Sequence, residues 1–565
     1  MKNKNVVLQN YVSRSQSITA KISHRASGWG LGGFFSENIP FSSITSKHMS
    51  SQIVDIILFF AAQNKDKKKI HVYEFGVGLG ILGNNILTIL SENYSDIYQK
   101  LVYHISDISE KQLNDLKNSE VILKHRDKLE FTVMDLCSPT FRKNAPPMVI
   151  FHTYLLDALD ARHIKVKNGK IYEILVKTSI PSQCQILDTS AFPPRYLNTK
   201  NILDIVEGNQ DIDAKQRLIF DRRIIKELKE DYKEVPIEKA RMEEFEKRNI
   251  KLFVQNAKID NKIFNYSQDI ITSTINIFSK LSSESCYLSI DYYNNKTITA
   301  DMDIKKALEI LMCRFNVFQY YQVEPELLKQ VVGSCKLPSS KKNKSFFTTI
   351  NYFDGGHHLY NYAITSNIAA YQYCLDKTFT NKDLDISIKV QSKVNTLSKK
   401  EDILQAFHTH HKFDKENYAN IINTAIHLFK NGWISESKIY ALESLKYSSN
   451  IALKAHLLLG DIAKVNNDLN AAEQHFLKAR EIAPQYNPCQ KRLVALYIEI
   501  QDYLKLKCHL KEWIYYTQEK NISYPIVELL KVATVLNDKA LRTSLVEWIK
   551  QQSFLIPTFN SNQIR

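Results

Sequence analysis

The residues best suited to ligand chemistry are Glu74-x-Gly76-x-Gly78-x-Gly80, with Gly83 three positions on. Glycines let backbone come close to a ligand, and a following helix offers amide N–H groups without intrahelical partners. Together they make a nucleotide-binding turn. Further polar groups recur at the ends of later apolar stretches. Asp107 follows His104-Ile105-Ser106, and Asp135 follows Val133-Met134. His152, Tyr154 and Asp157 follow Ile150-Phe151, and each could take or steer a proton.

Such groups converge only if strands and helices alternate, as in an α/β fold. The strand candidates are His71–Phe75, Leu101–Ser106, Glu130–Met134, Met148–His152, Cys286–Tyr292 and Phe346–Tyr352. A helix is expected from Ser50 to Ala62 and another after Gly80, with Ile81, Leu82, Ile86, Leu87 and Leu90 on its apolar side. Asn168-Gly169 between two short apolar runs signals a type I′ hairpin. Residues 205–280 are highly charged and read as a helical insertion. The polar stretch Lys377–Lys412 reads as a domain boundary.

Beyond it the chain reads as paired helices. His456-x-x-Leu459-Gly460-x-x-Ala463, then Ala472-x-x-x-Phe476-x-x-Ala479 and Pro484, fit a tetratricopeptide unit. Small residues belong where the two helices cross, Phe476 fills the gap, and Pro484 stops the second helix. Ile421–Leu445 and Lys491–Tyr515 have the same helix lengths, and Tyr524–Gln551 reads as a capping pair.

At 565 residues the chain must form several domains. No apolar run reaches membrane-spanning length, so no membrane insertion is expected. The net charge of +15 is spread over scattered lysines rather than a stripe, so nucleic acid is not an expected partner. Eight scattered cysteines without a C-x-x-C pair suit a reducing, cytoplasmic setting and offer no metal site. Lys2, Lys4, Arg14, Lys21 and Arg25 precede the first acidic residue, Glu37, as in a transit peptide, but without an amphipathic repeat. The pairs His357-His358 and His408–His411 read as solvated loop histidines. Phe318-Gln319-Tyr320-Tyr321 reads as core.

The glycine turn supports two readings. Gly78-x-Gly80-x-x-Gly83 fits a dinucleotide fingerprint, hence an NAD(P)-dependent oxidoreductase. Glu74 with Gly76, Gly78 and Gly80 fits motif I of class I S-adenosylmethionine (SAM) methyltransferases. Asp107 would then hold the ribose hydroxyls, Asp135 would lie near the adenine, and methyl transfer would take place beside His152, Tyr154 and Asp157. The dinucleotide fingerprint requires neither Glu74 nor Gly76, which favours the second reading.

Five ordered stretches resemble one family. They are Gly32-Gly33-Phe34-Phe35-Ser36; Phe75-Gly76-Val77-Gly78-Leu79-Gly80-Ile81-Leu82; Tyr103-His104-Ile105-Ser106-Asp107-Ile108-Ser109; Tyr154-Leu155-Leu156-Asp157-Ala158-Leu159-Asp160; and Ile290-Asp291-Tyr292. They are similar to motifs of the MidA-like class I methyltransferases, which include the mitochondrial protein-arginine methyltransferase assisting respiratory complex I assembly. The resemblance spans roughly residues 25–375. It implies a Rossmann-like fold, SAM as cofactor and a protein acceptor, possibly arginine. The family's Asn-Glu pair falls on Thr153-Tyr154, which removes a carboxylate that could pair with a guanidinium.

The expected layout is an N-terminal segment (1–50) packing on a methyltransferase domain (51–395, helical insertion about 205–280), then tetratricopeptide-like repeats (415–565) that recruit a partner or substrate. The alternative is a catalytically inactive SAM-fold scaffold whose repeats bind a partner protein.

Overall fold

The computed structural model describes residues 5–26, 47–334, 344–365 and 397–552, with short breaks at 183–185, 189–193, 209–213, 283–284, 294–297, 316, 355–356, 398, 414–417, 447–449 and 518–521. The glycine-rich stretch 28–36 lies outside the described residues.

Strands β2 (Ile70–Phe75), β3 (Leu101–Asp107), β4 (Leu129–Val133), β5 (Val149–Thr153) and β12 (Cys286–Tyr293) run parallel. With β15 (Lys344–Asp354) and β16 (His357–Thr365) they form one sheet in the order β15-β16-β12-β5-β2-β3-β4. β16 is antiparallel to both neighbours. The chain leaves β2 toward β3 and β4, then returns to place β5 on the other side of β2. That reversal opens a crevice at the carboxyl ends of β2 and β5, where open α/β sheets take their ligands.

Alternation along each strand feeds two cores. Val72, Ile105, Phe151, Leu288 and Ile290 face helices Lys47–Gln63 and Ile81–Asn93. Tyr73, Phe75, Ile150 and Tyr287 face helix Gln268–Phe278 on the opposite side. Helix Ile81–Asn93 lies close to the sheet because Gly83 has no side chain. A Cβ there would stand 2.7 Å from Glu74 Oε2 and 3.1 Å from the Tyr103 hydroxyl. Tyr103 donates to Glu74 Oε2 at 2.7 Å, beneath the helix. Glu74 is 3% exposed, and burial pushes its carboxyl up to about 8 against the pull of Tyr103.

The insertion is not purely helical. β6 (Arg162–Lys167) and β7 (Lys170–Pro181) form the hairpin that Asn168-Gly169 signals, with φ +52° and +70° at the turn. β7 pairs along its other edge with β10 (Lys229–Pro236), while β1 (Asn5–Val12) continues the β6 edge and β11 (Lys262–Tyr266) flanks β6. The result is a second, antiparallel sheet. Two short pairs stand apart from both sheets: β8 (Leu187–Asp188) with β9 (Arg195–Tyr196), and, after β12, β13 (Met312–Phe315) with β14 (Phe318–Tyr321). The charged segment Lys229–Pro236 alternates in burial because its inward carboxylates meet cations. Arg14 pairs with Glu230 at 2.7 Å, and Lys165 with Glu234 at 2.6 Å. Its period of two is carried by charge, not by hydrophobicity. Arg14 and Arg25, read as part of a basic leader pattern, are thus used by the fold; Arg25 pairs with Asp221.

The polar stretch expected as a boundary contains regular structure. Lys400–Phe413 is a helix, with Ile403 and Phe407 buried and His408 exposed. Four helical hairpins follow: Tyr418–Lys430 with Ile434–Ser444, Asn450–Val465 with Leu469–Ile482, Asn487–Glu499 with Tyr503–Tyr516, and Ser523–Val535 with Lys539–Gln552. Their turns carry a left-handed residue every 34–36 positions, at Gly432, Asn467, Gln501 and Asn537. Asp468, Asp502 and Asp538 then cap the second helices. The array packs on the rest of the chain at both ends. Ile421, Ile422, Ala425 and Ile451 share a core with Met49, Ile53 and Ile57. Trp548 Nε1 donates to the Pro194 carbonyl at 2.7 Å, and Arg223 donates to the Thr517 carbonyl.

Two outcomes follow from these contacts. A Cβ at Gly460 would lie 2.3 Å from the Phe476 ring, which is fully buried. Gly460→Ala should therefore lower stability by about 1–3 kcal/mol through overpacking, despite the ~1 kcal/mol of helix propensity it adds. Phe476→Leu in the same chain should recover part of the loss in a urea titration. Glu74 binds its proton more tightly folded than unfolded, so wild-type stability should fall between about pH 5 and pH 8. Glu74→Gln should lose that fall, on the order of a few kcal/mol, in urea titrations at the two pH values.

Candidate functional site

The turn after β2 is held open by three left-handed glycines, with φ +65° at Gly76, +53° at Gly78 and +72° at Gly80. Non-glycine residues reach that region only with strain. Space adds a second constraint, since a Cβ on Gly80 would stand 2.9 Å from Leu116 and one on Gly76 3.1 Å from Leu155. Gly76 N donates to the Ser106 carbonyl at 2.9 Å, tying the turn to β3. Gly80 is the N-cap of helix Ile81–Asn93, so the helix's positive end points into the crevice.

Asp107 ends β3 beside this turn. Its Oδ1 accepts the Ser109 amide at 2.8 Å. Burial pushes its carboxyl up to about 6, opposed by the amides of Ser109 and Ile108. Asp135, past the end of β4, accepts the Cys137 amide at 2.8 Å and the Ser138 hydroxyl at 3.4 Å. It is engaged in its own turn. Glu74 lies on the helix side of the sheet, bonded to Tyr103.

Past β5 the chain makes a strained turn. Tyr154 has φ +52°, an uncommon conformation for a bulky residue, and its amide donates to the Ile290 carbonyl at 2.8 Å. The turn continues through Leu156–Ala158 and brings Asp157 under the crevice, 1% exposed. No side-chain donor meets either of its oxygens among the described residues. Burial, then the neighbouring Asp291 charge, raises its proton affinity far above that of a free carboxyl.

His152 is fully buried, one layer deeper. Its Nε2 lies 2.7 Å from the Tyr287 hydroxyl and its Nδ1 3.4 Å from Asp291 Oδ2. Either atom of the Nε2–Tyr287 contact can be the donor, and Nδ1 has no hydrogen-bond partner. Burial pulls the imidazole down to about 3, so it stays neutral.

Asp291 links these residues, and it is not among the site candidates the sequence supplied. Its Oδ1 accepts the Asp157 amide at 3.2 Å and its Oδ2 the Ser289 hydroxyl at 3.0 Å. Burial pushes it up to about 7. A lone Asp in the buried strand Cys286–Tyr293 was the available signal, together with its place in the Ile290-Asp291-Tyr292 motif. The structure therefore brings His152 and Asp157 together through Asp291 and sets Tyr154 at the head of the same turn. At its far end, Asp160 pairs with His24 of helix Ile18–Ala26 at 2.8 Å.

The glycine turn and Asp107 fit the requirements of a bound nucleoside: bare backbone, an aligned helix end and a carboxylate at the next strand. Gly83 would serve a dinucleotide turn equally well, so geometry alone leaves both readings of the glycines. Among the described residues, no group of three or more His, Cys, Asp or Glu is placed to hold a metal ion. None of the described helices is long and apolar enough to cross a membrane.

Comparison with known proteins decides between the readings. Residues 52–313 match the family described as "Putative S-adenosyl-L-methionine-dependent methyltransferase". No curated protein matches the chain. Among solved structures, a "COG1565 superfamily member and likely methyl transferase" from Burkholderia thailandensis, bound to S-adenosyl-homocysteine, is 10% identical, with a TM-score of 0.38, covering 64% of this chain and 90% of its own. PilF of Pseudomonas aeruginosa is 13% identical, with a TM-score of 0.24, over 35% of this chain and 85% of its own. Magnesium protoporphyrin IX methyltransferase from Synechocystis PCC 6803, with bound SAH, is 10% identical, with a TM-score of 0.24, over 62% and 96%. The matched segment carries the glycine turn, Asp107 and the Asp157–Asp291 cluster: over residues 52–313 the chain is similar to a methyltransferase family whose cofactor is SAM.

Proposed function

We propose that this chain transfers a methyl group from SAM to a protein acceptor, and that its helical array is a tetratricopeptide-like surface that recruits the acceptor or a partner. One observation carries the reading: the left-handed glycine turn and Asp107 stand together at the reversal of strand order, inside the segment that matches the family. Bound SAM supplies an electrophilic methyl group on a sulfonium. The chain's own residues bind, orient and exclude water. Gly76, Gly78 and Gly80 admit the cofactor close to backbone. Asp107 holds the ribose hydroxyls through the oxygen that does not accept from Ser109. Asp135 would act near the adenine, though its own turn already engages both of its oxygens.

Of the three candidates after β5, Asp157 suits the proton-accepting role best. Its oxygens meet no side-chain donor among the described residues, and its turn touches Gly76 through Leu155. His152 lies too deep and is held neutral, which suits positioning. Tyr154 sets the backbone of the turn. With Thr153-Tyr154 where the family has Asn-Glu, arginine loses a bidentate partner, and another nucleophile becomes the better candidate. The same departure supports the second reading, an inactive SAM-fold scaffold.

The 34–36-residue recurrence of the array and the close Gly460–Phe476 crossing support the tetratricopeptide reading. Ion pairs join successive hairpins, as in Asp461–Arg492 and Glu473–Lys505. A groove of about 350 Å³, lined by Asn487, Pro488, Lys491, Arg492 and Ala495, stays open on helix Asn487–Glu499.

Calorimetry should give SAM binding in the wild type and none in Gly78→Asp. Asp107→Ala should weaken it roughly 10–100-fold, the loss of a charged hydrogen-bonding partner worth about 1.5–3 kcal/mol. Wild-type protein given methyl-labelled SAM and a cell extract should label a protein band that Gly78→Asp does not. Binding without label in protein would favour the scaffold, and no binding would remove the enzyme reading.

A further inference from the structure

We infer that Ser23, His24 and Arg25 are positioning residues that couple the array to the crevice, so that a partner seated on the third helical hairpin changes how firmly the acceptor-side wall is held. The inference rests on the methyltransferase reading and on the recruiting role proposed for the array, and it names the route between them.

The three residues lie in the last turn of helix Ile18–Ala26, and each touches a different element. Ser23 Oγ accepts the Gln319 amide of β14 at 2.9 Å. β14 itself packs beside the 154–160 turn, where its Tyr321 shares a small core with Ala161. His24 Nε2 stands 2.8 Å from Asp160 Oδ1, at the end of that turn. Arg25 Nε donates to Asp221 Oδ2 at 2.9 Å, and its Nη1 to the Val206 carbonyl at 2.7 Å. Asp221 lies on helix Ala214–Glu227 and is fully buried. Two residues on, about 200° around that helix, Arg223 donates to the Thr517 carbonyl. Thr517 is the C-cap of helix Tyr503–Tyr516 in the third hairpin, a position that favours a cation. At the other end, Leu155 of the 154–160 turn closes on Gly76 of the glycine turn. A continuous set of contacts therefore runs from the glycines, through the turn and the helix end, to the array.

The links differ in strength. Arg25 holds the buried Asp221 carboxylate through both of its oxygens. His24 and Asp160 keep 50% and 33% of their side chains exposed, and pairs so exposed are weak. The helix end thus has two arrangements close in free energy, on the turn and off it, and a ligand at either end biases the choice. Such coupling is reciprocal. A partner that fixes helix Tyr503–Tyr516 favours the seated helix end and a firm wall, and a cofactor that fixes the wall firms the array.

That reciprocity gives a test that needs no partner. Hydrogen exchange of the full chain is followed with and without S-adenosylhomocysteine. In the wild type the ligand should slow exchange in residues 154–160, in helix Ile18–Ala26 and, by roughly 2–5-fold, in residues 513–517, a size set by an exposed ion pair. His24→Gln should lose the array response and keep that of the turn. His24→Lys restores a cation opposite Asp160 and should regain the array response, which a purely packing role would not predict. Arg223→Met should confine the response to the turn and helix Ile18–Ala26. Ligand binding without slowing at 513–517 in the wild type, or an array response that survives His24→Gln, would overturn the coupling and leave the cofactor site standing. No binding of S-adenosylhomocysteine or SAM would sink the methyltransferase reading as well.

Discussion

Gly83 permits an approach in the α/β core that leaves no room for a side chain. Helix Ile81–Asn93 lies against the Glu74–Tyr103 hydrogen bond with no room for a methyl group between them. That contact fixes the distance of the helix from β2 and β3. It thereby aims the helix N-terminus and the three left-handed glycines at the crevice. Everything proposed for the cofactor side depends on this placement. On the other side of β2, the 154–158 turn is aimed by a different buried carboxyl, Asp291, which accepts the Asp157 amide. Two buried acids on opposite faces of the sheet thus set the two walls of one crevice. Both are pushed toward their neutral forms by burial, which lets them remain inside without lysine or arginine partners.

Much of this was legible in the sequence because it is local. The apolar strand from His71, the glycine turn after it and Asp107 all lie within 37 residues, and their pattern follows from periodicities of two and 3.6. The Asn168-Gly169 hairpin was legible for the same reason: two positive φ angles need that pair. The helical hairpins were readable from Leu459-Gly460, Ala472, Phe476 and Ala479, residues chosen by one close crossing.

What the sequence concealed is non-local. β10 reads as a charged helix, since Lys229–Pro236 alternates charges that find partners only after β7 and Arg14 arrive beside it. Helix Lys400–Phe413 buries little beyond Ile403 and Phe407, too faint a stripe to stand out in a polar stretch. Asp291 sits 134 residues from Asp157, across the whole insertion. Only the parallel pairing of β12 with β5 brings them together. Glu74 was legible as an acid at a strand end, but the parity that turns it under the helix depends on register.

The Trp548–Pro194 hydrogen bond has a kinetic side. It joins residues 354 positions apart, near the last helix of the array and within the insertion of the catalytic sheet. During synthesis at 5–20 residues per second, roughly 20–70 s separate the emergence of the two ends. The parallel sheet and the early hairpins can form in that interval, but the surface around Pro194 must wait uncovered until the final helix leaves the ribosome. The repeats therefore seal the insertion late, and a nascent chain cut short before Trp548 would expose that apolar surface to chaperones and proteases.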